Sequence, residues 1–221
     1  NKIKTLIETS GTEVRIITAS SGNHGMACAL AASRLGIPAT VVVPVPTPQI
    51  KKDYIRSLGA NLLEIGETYD DSFLAACELA ETEKMFYVHP VSDRYTVAGQ
   101  GTITLELLEQ IPDLDQVIVP IGGGGLITGI SFTMKQLKPS VKLVGVMPEG
   151  SAVYYASRQA GNLLTLEHCA SMADACVRKT GEPYLYPYIE QYVDEIVTVT
   201  EESIRKAVKM ACLYGKLTLE G

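Results

Sequence analysis

The sequence predicts a doubly wound α/β fold, and three observations predict it. Short β-branched runs alternate with helical patterns of roughly 10–15 residues almost throughout the 221-residue chain. Strands such as Val117-Ile118-Val119 and Thr40-Val41-Val42-Val43 are apolar on successive residues, so both of their faces should be buried, as in a parallel sheet covered by helices on each side. Gly36 and Gly59 follow two of the helical patterns as C-terminal stops.

In chain order the first strand is expected at Val14–Thr18, leading to a helix at Gly25–Leu35. Ala39–Val43 leads to Gln49–Leu58, and Asn61–Ile65 to Tyr69–Glu81. Met85–Val88 leads to Gly101–Gln110, with His89–Ala98 (HPVSDRYTVA) interrupting the alternation as a domain seam. Gln116–Ile121 leads to Leu126–Leu137, Lys142–Met147 to Ala152–Ala160, and Glu195–Val199 to Glu201–Tyr214. In the last helix Ile204, Ala207, Val208 and Ala211 recur at i, i+3, i+4 and i+7, the stripe of a helix laid on a core. The opening NKIKTLIETS is helix-like. Around Tyr184, Tyr186, Tyr188 and Tyr192, interleaved with Pro183 and Pro187, a packed loop and helix start are expected.

Composition narrows the function classes. A 46% hydrophobic, 20% charged chain is ordinary for a globular protein, and about 150 residues per domain gives one to two domains. A net charge of −6 without a block of Lys or Arg argues against nucleic-acid binding. No apolar run approaches the ~18 residues of a membrane span, and no charged-then-apolar leader is visible. The five cysteines, Cys28, Cys77, Cys169, Cys176 and Cys212, form no CxxC pair, so reduced thiols in a cytoplasmic compartment are expected. His168, Cys169 and Cys176 match no zinc spacing, and no metal site is expected. Asn1 in place of a Met, and a last stretch reading Leu217-Thr218-Leu219-Glu220-Gly221, suggest a piece of a longer protein.

Two strand-to-helix turns carry the chemistry. Val117–Ile130 reads VIVPIGGGGLITGI, in which a buried strand runs into Gly122, Gly123, Gly124 and Gly125 before a helix. Successive glycines let backbone N–H groups converge on an anion with no Cβ in the way, and the helix N-terminus adds partial positive charge. A close helix–strand contact would need only one glycine. The third glycine of a GxGxxG dinucleotide fingerprint would fall on Ile127 or Thr128, and no Gly-Lys-Ser/Thr ends a P-loop. The cradle therefore suits a monophosphate ester. The other turn, Thr18–Gly25 (TASSGNHG), clusters Ser20, Ser21, Asn23 and His24 at a helix mouth. Simple capping accounts for one such residue better than for four, and the same dipole argument suits a carboxylate.

With these motifs the chain resembles the fold-type II pyridoxal-phosphate enzymes, the family of threonine/serine dehydratases and serine racemase. The resemblance rests on SSGNHG at Ser20–Gly25, GQGT at Gly99–Thr102, PIGGGGL at Pro120–Leu126, VDEIVTV at Val193–Val199 and the terminal Glu220-Gly221. It implies two doubly wound open sheets with helices on both faces. A small domain at residues 15–92 would close over the site, and residues 1–14 and 93–221 would belong to a large one. It implies pyridoxal 5′-phosphate as cofactor, its phosphate bound by Gly122, Gly123, Gly124, Gly125 and Leu126. Asn23 would meet the pyridoxal 3′-oxygen, and Ser20, Ser21, Gly22, Asn23 and His24 would clamp the α-carboxylate of L-threonine or L-serine. The implied reaction is α,β-elimination to a 2-oxo acid and ammonia, in a homodimer of the cytoplasm.

Departures from the family pattern bear on that expectation. The family's Schiff-base lysine precedes an Asn that Asn1 resembles, so the lysine is expected to be absent here; Lys2 and Lys4 are the nearest substitutes. An inactive fragment that only binds the cofactor phosphate is therefore a further reading. Ser21 stands where racemases carry a second acid/base, which keeps serine racemisation with side elimination as an alternative. Met147 and Val153 replace acidic residues of the racemase metal site, with Glu149 two positions off. Asp174-Ala175 stands where the family usually has Asp-Gly, and Val91 replaces a polar residue after His89-Pro90.

Overall fold

The computed structural model describes residues 1–11 and 13–219; the Glu220-Gly221 motif lies outside the described residues. The chain divides into two compact units, Asn1–Thr96 and Val97–Gly221. Both are α/β units built on parallel sheets.

The first unit holds helix α1 (Lys2–Ser10), strand β1 (Ile16–Ala19), α2 (Asn23–Leu35), β2 (Ala39–Val43), α3 (Gln49–Ser57), β3 (Asn61–Glu64), α4 (Tyr69–Thr82) and β4 (Phe86–Tyr87). Its sheet has the order β3-β2-β1-β4. The continuous apolar runs are explained by two cores, one on each face. Ile16, Val41 and Val43 pack with Ile3 and Leu6 of α1, Cys28, Ala29 and Ala32 of α2, and Ile55 of α3. The alternate positions Ile17, Ala19 and Val42 pack against Ala76, Phe73 and Leu79 of α4. Period-2 alternation is present, but neither face is polar. Lys52, buried in α3, is held by Val45 O and by Glu64 Oε2, both at 2.7 Å, which fastens that helix to the end of β3.

Helix α5 (Arg94–Gln110) starts seven residues before the sequence pattern suggests, and the division between the units falls in its first turn. Asp93 Oδ1 accepts from the N–H groups of Tyr95 (2.8 Å) and Thr96 (3.1 Å), the caps that begin the helix. The glycines of GQGT do not interrupt it. A Cβ on Gly101 would collide with Thr133 Oγ1 and lie 3.1 Å from Gly129 O, so this small residue lets α5 cross close to the helix that carries Gly129.

The second unit continues with β5 (Gln116–Pro120), α6 (Gly125–Leu137), β6 (Lys142–Pro148), α7 (Val153–Ala160), α8 (Tyr186–Tyr192), β7 (Glu195–Val199) and α9 (Glu201–Met210), which runs into a π-helical turn at Ala211–Gly215. The sheet order is β5-β6-β7. Its central strand carries Gly145 because Ile121 and Ile127 pack over it: a Cβ there would collide with Ile121 Cδ1 and lie 2.9 Å from Ile127 Cδ1. The tyrosine-rich segment forms α8, with Tyr184, Tyr188, Tyr192 and Phe132 in mutual ring contact. All five cysteines are free thiols. Among the described residues no helix is long and apolar enough to cross a membrane.

Candidate functional site

Each unit carries one of the two strand-to-helix turns. In the first unit, Ser20 N–H donates to Val42 O at 3.2 Å, extending the ladder one residue past β1. The Ser20 hydroxyl then accepts from Gly22 N–H at 3.3 Å, and Gly22 is the N-cap of α2. The N-cap residue supplies no side-chain cap to this 13-residue helix, and the helix dipole favours an anion at its start. Gly25 permits the tight approach: a Cβ would collide with the Ser20 carbonyl oxygen and lie 3.2 Å from Val41 Cγ1. Asn23 is exposed at the first helical position, and Ser21 is half-buried beside it.

His24 is engaged elsewhere. Its Nε2 lies 3.1 Å from Val88 O and 3.5 Å from Cys28 Sγ. With the proton on Nε2 the ring donates to a carbonyl that also accepts from Thr18 Oγ1 at 2.8 Å. The imidazole therefore ties α2 to the chain just beyond β4, and only the backbone N–H of His24 faces the duties of a helix N-terminus.

Burial is the largest influence on His24 and lowers its pKa, against the raising effect of the Val88 hydrogen bond. An unfolded His titrates near 6.5, so below that pH the unfolded chain takes up a proton that the folded chain refuses. The stability contribution is present above about pH 6.5 and is lost as pH falls toward the lower folded value. In urea melts from about pH 8 to about pH 5, the stability of wild type relative to His24→Gln should therefore decline. A constant difference would show that the imidazole titrates alike in the folded and unfolded chain.

In the second unit, Ile121 N–H donates to Val146 O at 2.9 Å, and the chain then leaves the sheet through Gly122, Gly123 and Gly124 to enter α6 at Gly125. Gly124 is the N-cap, with φ 92° and ψ −11°, the left-handed region that favours glycine. No side chain caps this helix and no acidic residue occupies its first turn. The cradle has a packed wall behind it. A Cβ on Gly122 would lie 2.5 Å from Ala175 O and 3.1 Å from Cys176 Cα. One on Gly124 would lie 2.8 Å from Tyr154 Oη and 2.9 Å from Ile189 Cδ1.

The wall is itself latched. The buried Ser151 hydroxyl accepts from Arg178 N–H at 2.9 Å and lies 3.3 Å from Cys176 O. Ser171 Oγ donates to Glu201 Oε1 at 2.6 Å, and Met172 N–H to Glu201 Oε2 at 3.0 Å. These donors hold the Glu201 carboxyl below its ordinary pKa. Ala175 is exposed, and its carbonyl is the group that faces Gly122. Met147 and Val153 are fully buried, and among the described residues no three His, Cys, Asp or Glu side chains gather where they could hold a metal ion.

One residue of this site has no counterpart in the sequence reading. Tyr154, on α7, is fully buried; its hydroxyl donates to Gly123 O at 2.9 Å and accepts from Glu182 N–H at 2.8 Å. Burial pushes the phenol up to about 12, so it stays a neutral donor. A tyrosine on the core stripe of a helix carries no sequence signal beyond packing. Only the fold reveals that its hydroxyl meets the glycine loop.

Chemically, each turn offers an anion an array of N–H donors at a helix mouth. The glycine cradle, closed off by backbone and by Tyr154, suits a compact tetrahedral phosphate; the more polar first turn suits a carboxylate.

Comparison with known proteins places the chain in a family. The family described as pyridoxal-phosphate dependent enzyme matches residues 1–221. The L-threonine ammonia-lyase of Thermotoga maritima is 39% identical over 206 residues, which is 93% of this chain and 51% of that protein. The chain thus spans about half the length of that curated relative. Maize serine racemase superposes with a TM-score of 0.91 at 33% identity, over 100% of this chain and 68% of that one. The processed threonine deaminase isoform 2 of Solanum lycopersicum gives 0.90 at 36% identity, over 95% and 58%. The chain belongs to the pyridoxal-phosphate dependent enzymes of fold type II.

Proposed function

We propose that the whole protein is an L-threonine/L-serine ammonia-lyase, converting its substrate to a 2-oxo acid and ammonia. The observation that carries this reading is the cradle at Gly122–Gly125. Two of its glycines are positions that a Cβ would fill, and its helix mouth is uncapped and free of acidic residues. These residues fit a pyridoxal 5′-phosphate phosphate group, with Gly122, Gly123, Gly124, Gly125 and Leu126 presenting N–H donors. Pyridoxal phosphate, when bound, supplies an electron sink for the bond broken at the substrate's α-carbon. The names of the relatives, threonine ammonia-lyase and threonine deaminase, support the substrate class.

In this reading Ser20–His24 hold the substrate's carboxylate through the first-turn N–H groups of α2, and Asn23 meets the cofactor's 3′-oxygen. The Ser21 hydroxyl is the candidate second acid/base that would return a proton to the opposite face. That residue, with the maize serine racemase likeness, favours racemisation as the second reading.

Neither Lys2 nor Lys4 is assigned to covalent attachment of the cofactor. Lys2 Nζ is already engaged, pairing with Asp93 Oδ2 at 2.7 Å and lying 5.2 Å from the Tyr95 ring centroid. Lys4 is exposed beside Glu8. The cytoplasmic homodimer that the resemblance implies belongs to the same proposal.

The test is to supply the whole protein with pyridoxal phosphate and L-threonine or L-serine, then quantify 2-oxo acid, ammonia and D-serine. The expected result is 2-oxo acid and ammonia in equal amounts. In Ser21→Ala elimination should stay within about threefold of wild type while any D-serine falls at least tenfold, since general acid–base assistance contributes at least ~100-fold where it operates. Release of D-serine without ammonia would replace the lyase reading by the racemase one. No conversion of either substrate would sink both.

A further inference from the structure

We infer that Tyr154 is a positioning residue for phosphate recognition, acting through the Gly123–Gly124 peptide rather than by touching the ligand. This inference rests on the reading of Gly122–Gly125 as the phosphate cradle.

The geometry begins with the peptide plane. In a trans peptide the C=O and the N–H point in opposite directions. The Tyr154 hydroxyl donates to Gly123 O at 2.9 Å, so the N–H of Gly124 points away from the tyrosine. Between glycines such a plane is easily turned over, because neither neighbour has a Cβ to oppose rotation. Without an anchor, the loop would exchange one N–H donor for a carbonyl oxygen, which repels a phosphate.

The anchor is rigid. Tyr154 is fully buried in α7, and its ring is confined on two sides: a Cβ on Gly124 would lie 3.1 Å from Tyr154 Cζ, and one on Gly181 would lie 2.9 Å from Cε1. The hydroxyl proton has only one productive direction, because the oxygen already accepts from Glu182 N–H at 2.8 Å. Accepting that bond also strengthens the hydroxyl as a donor, since chained hydrogen bonds polarise one another. Donation to Gly123 O in turn makes the Gly124 N–H a better donor. Thus the Gly181-Glu182 backbone, the phenol and the Gly123–Gly124 peptide form one relay that aims and polarises a single N–H.

The consequence is specific to the phosphate. Tyr154→Phe keeps the ring and its packing and removes only the hydroxyl. It should weaken pyridoxal 5′-phosphate about tenfold while leaving pyridoxal, which lacks the phosphate, within about twofold. A tenfold change corresponds to about 1.4 kcal/mol. Ser157→Ala on the same helix is the stability control: it removes a hydroxyl that accepts from Leu164 N–H at 3.0 Å, three residues beyond Tyr154 and without a bond to the Gly123–Gly124 peptide. It should lower the melting temperature without changing the ratio of the two affinities.

Calorimetric titration of the whole protein with pyridoxal 5′-phosphate and with pyridoxal reads that ratio. Wild type favouring the phosphorylated ligand, with the preference cut about tenfold in Tyr154→Phe alone, supports the inference. An unchanged preference in Tyr154→Phe overturns the inference and leaves the cradle standing. No preference in wild type overturns the cradle and the inference together. A measurement on wild type guards against failure of the variant to fold: on adding inorganic phosphate, the Gly124 amide proton should shift downfield. A stationary Gly124 signal beside moving Gly125 and Leu126 signals would overturn the role assigned to Tyr154.

Discussion

Gly124→Ala should weaken pyridoxal 5′-phosphate binding by more than about 100-fold, equivalent to about 2.8 kcal/mol, and lower the stability of the protein at the same time. Two costs add at this position. The backbone sits at φ 92°, where a non-glycine residue is strained by about 1–3 kcal/mol. The new methyl would lie 2.8 Å from Tyr154 Oη and 2.9 Å from Ile189 Cδ1, both on fully buried side chains that have nowhere to retreat. Overpacking of that kind costs roughly 1–3 kcal/mol, so a total of about 2–6 kcal/mol is expected if the loop stays in place. The loop can escape by moving out of the wall, but that movement destroys the convergence of its N–H groups. Gly161→Ala separates strain from site. Gly161 has φ 70° at the end of α7 and open space around its Cβ position, so it should lose about 1 kcal/mol and bind the cofactor normally. Urea melts and calorimetric titration of both variants check the pair. Cofactor binding by Gly124→Ala within threefold of wild type would show that the phosphate is held elsewhere.

The contrast between those two glycines also shows what a sequence can disclose. The cradle is legible because four consecutive glycines after an apolar strand have few other uses, and the first sheet is legible because Val41, Val42 and Val43 must bury two faces at once. The same expectation fails for Val117-Ile118-Val119, since β5 is an edge strand of its sheet and Ile118 is 64% exposed. Other features are local ambiguities that packing resolves. The sequence pattern begins the helix at Gly101, whereas α5 begins at Arg94 and Gly101 is there because α6 passes within reach of its Cβ. Asp93 caps that helix, but a seam rich in Pro, Ser and Asp looks the same whether or not a helix starts inside it. His24 sits in a polar loop and reads as a loop donor, whereas its ring is drawn to Val88 O, 64 residues away in sequence. Tyr154 is the extreme case. Its partners, Gly123 and Glu182, come from two distant segments, and no spacing rule connects them.

Gly25→Ala carries the same logic to the other turn, where intuition gives the wrong sign. Gly25 lies in the first turn of a helix, and replacing a helical glycine by alanine ordinarily stabilises by about 1 kcal/mol. Here the methyl would be driven into the Ser20 carbonyl oxygen and against Val41 Cγ1 at 3.2 Å. Neither neighbour can yield cheaply. Ser20 is tied to β2 through Val42 O, and Val41 is fully buried at the centre of the sheet. The helix must therefore lift away from the end of β1, taking the Ser20–His24 loop with it and stretching the His24 bond to Val88 O. Overpacking of roughly 1–3 kcal/mol outweighs that gain and a net loss is expected, whereas Gly22→Ala, whose Cβ position is open, should change stability by less than about 1 kcal/mol. In the whole protein the KM for L-threonine should rise more than about tenfold, because the carboxylate loses its aligned N–H donors. Cofactor affinity should fall by less than KM rises, because only the Asn23 contact with the 3′-oxygen is disturbed while the phosphate cradle belongs to a different unit with its own core. Steady-state kinetics with titrated cofactor distinguish the two effects. A Gly25→Ala variant that is more stable than wild type, with an unchanged KM, would mean that the close approach of α2 to β1 is dispensable and that Ser20–His24 do not hold the substrate.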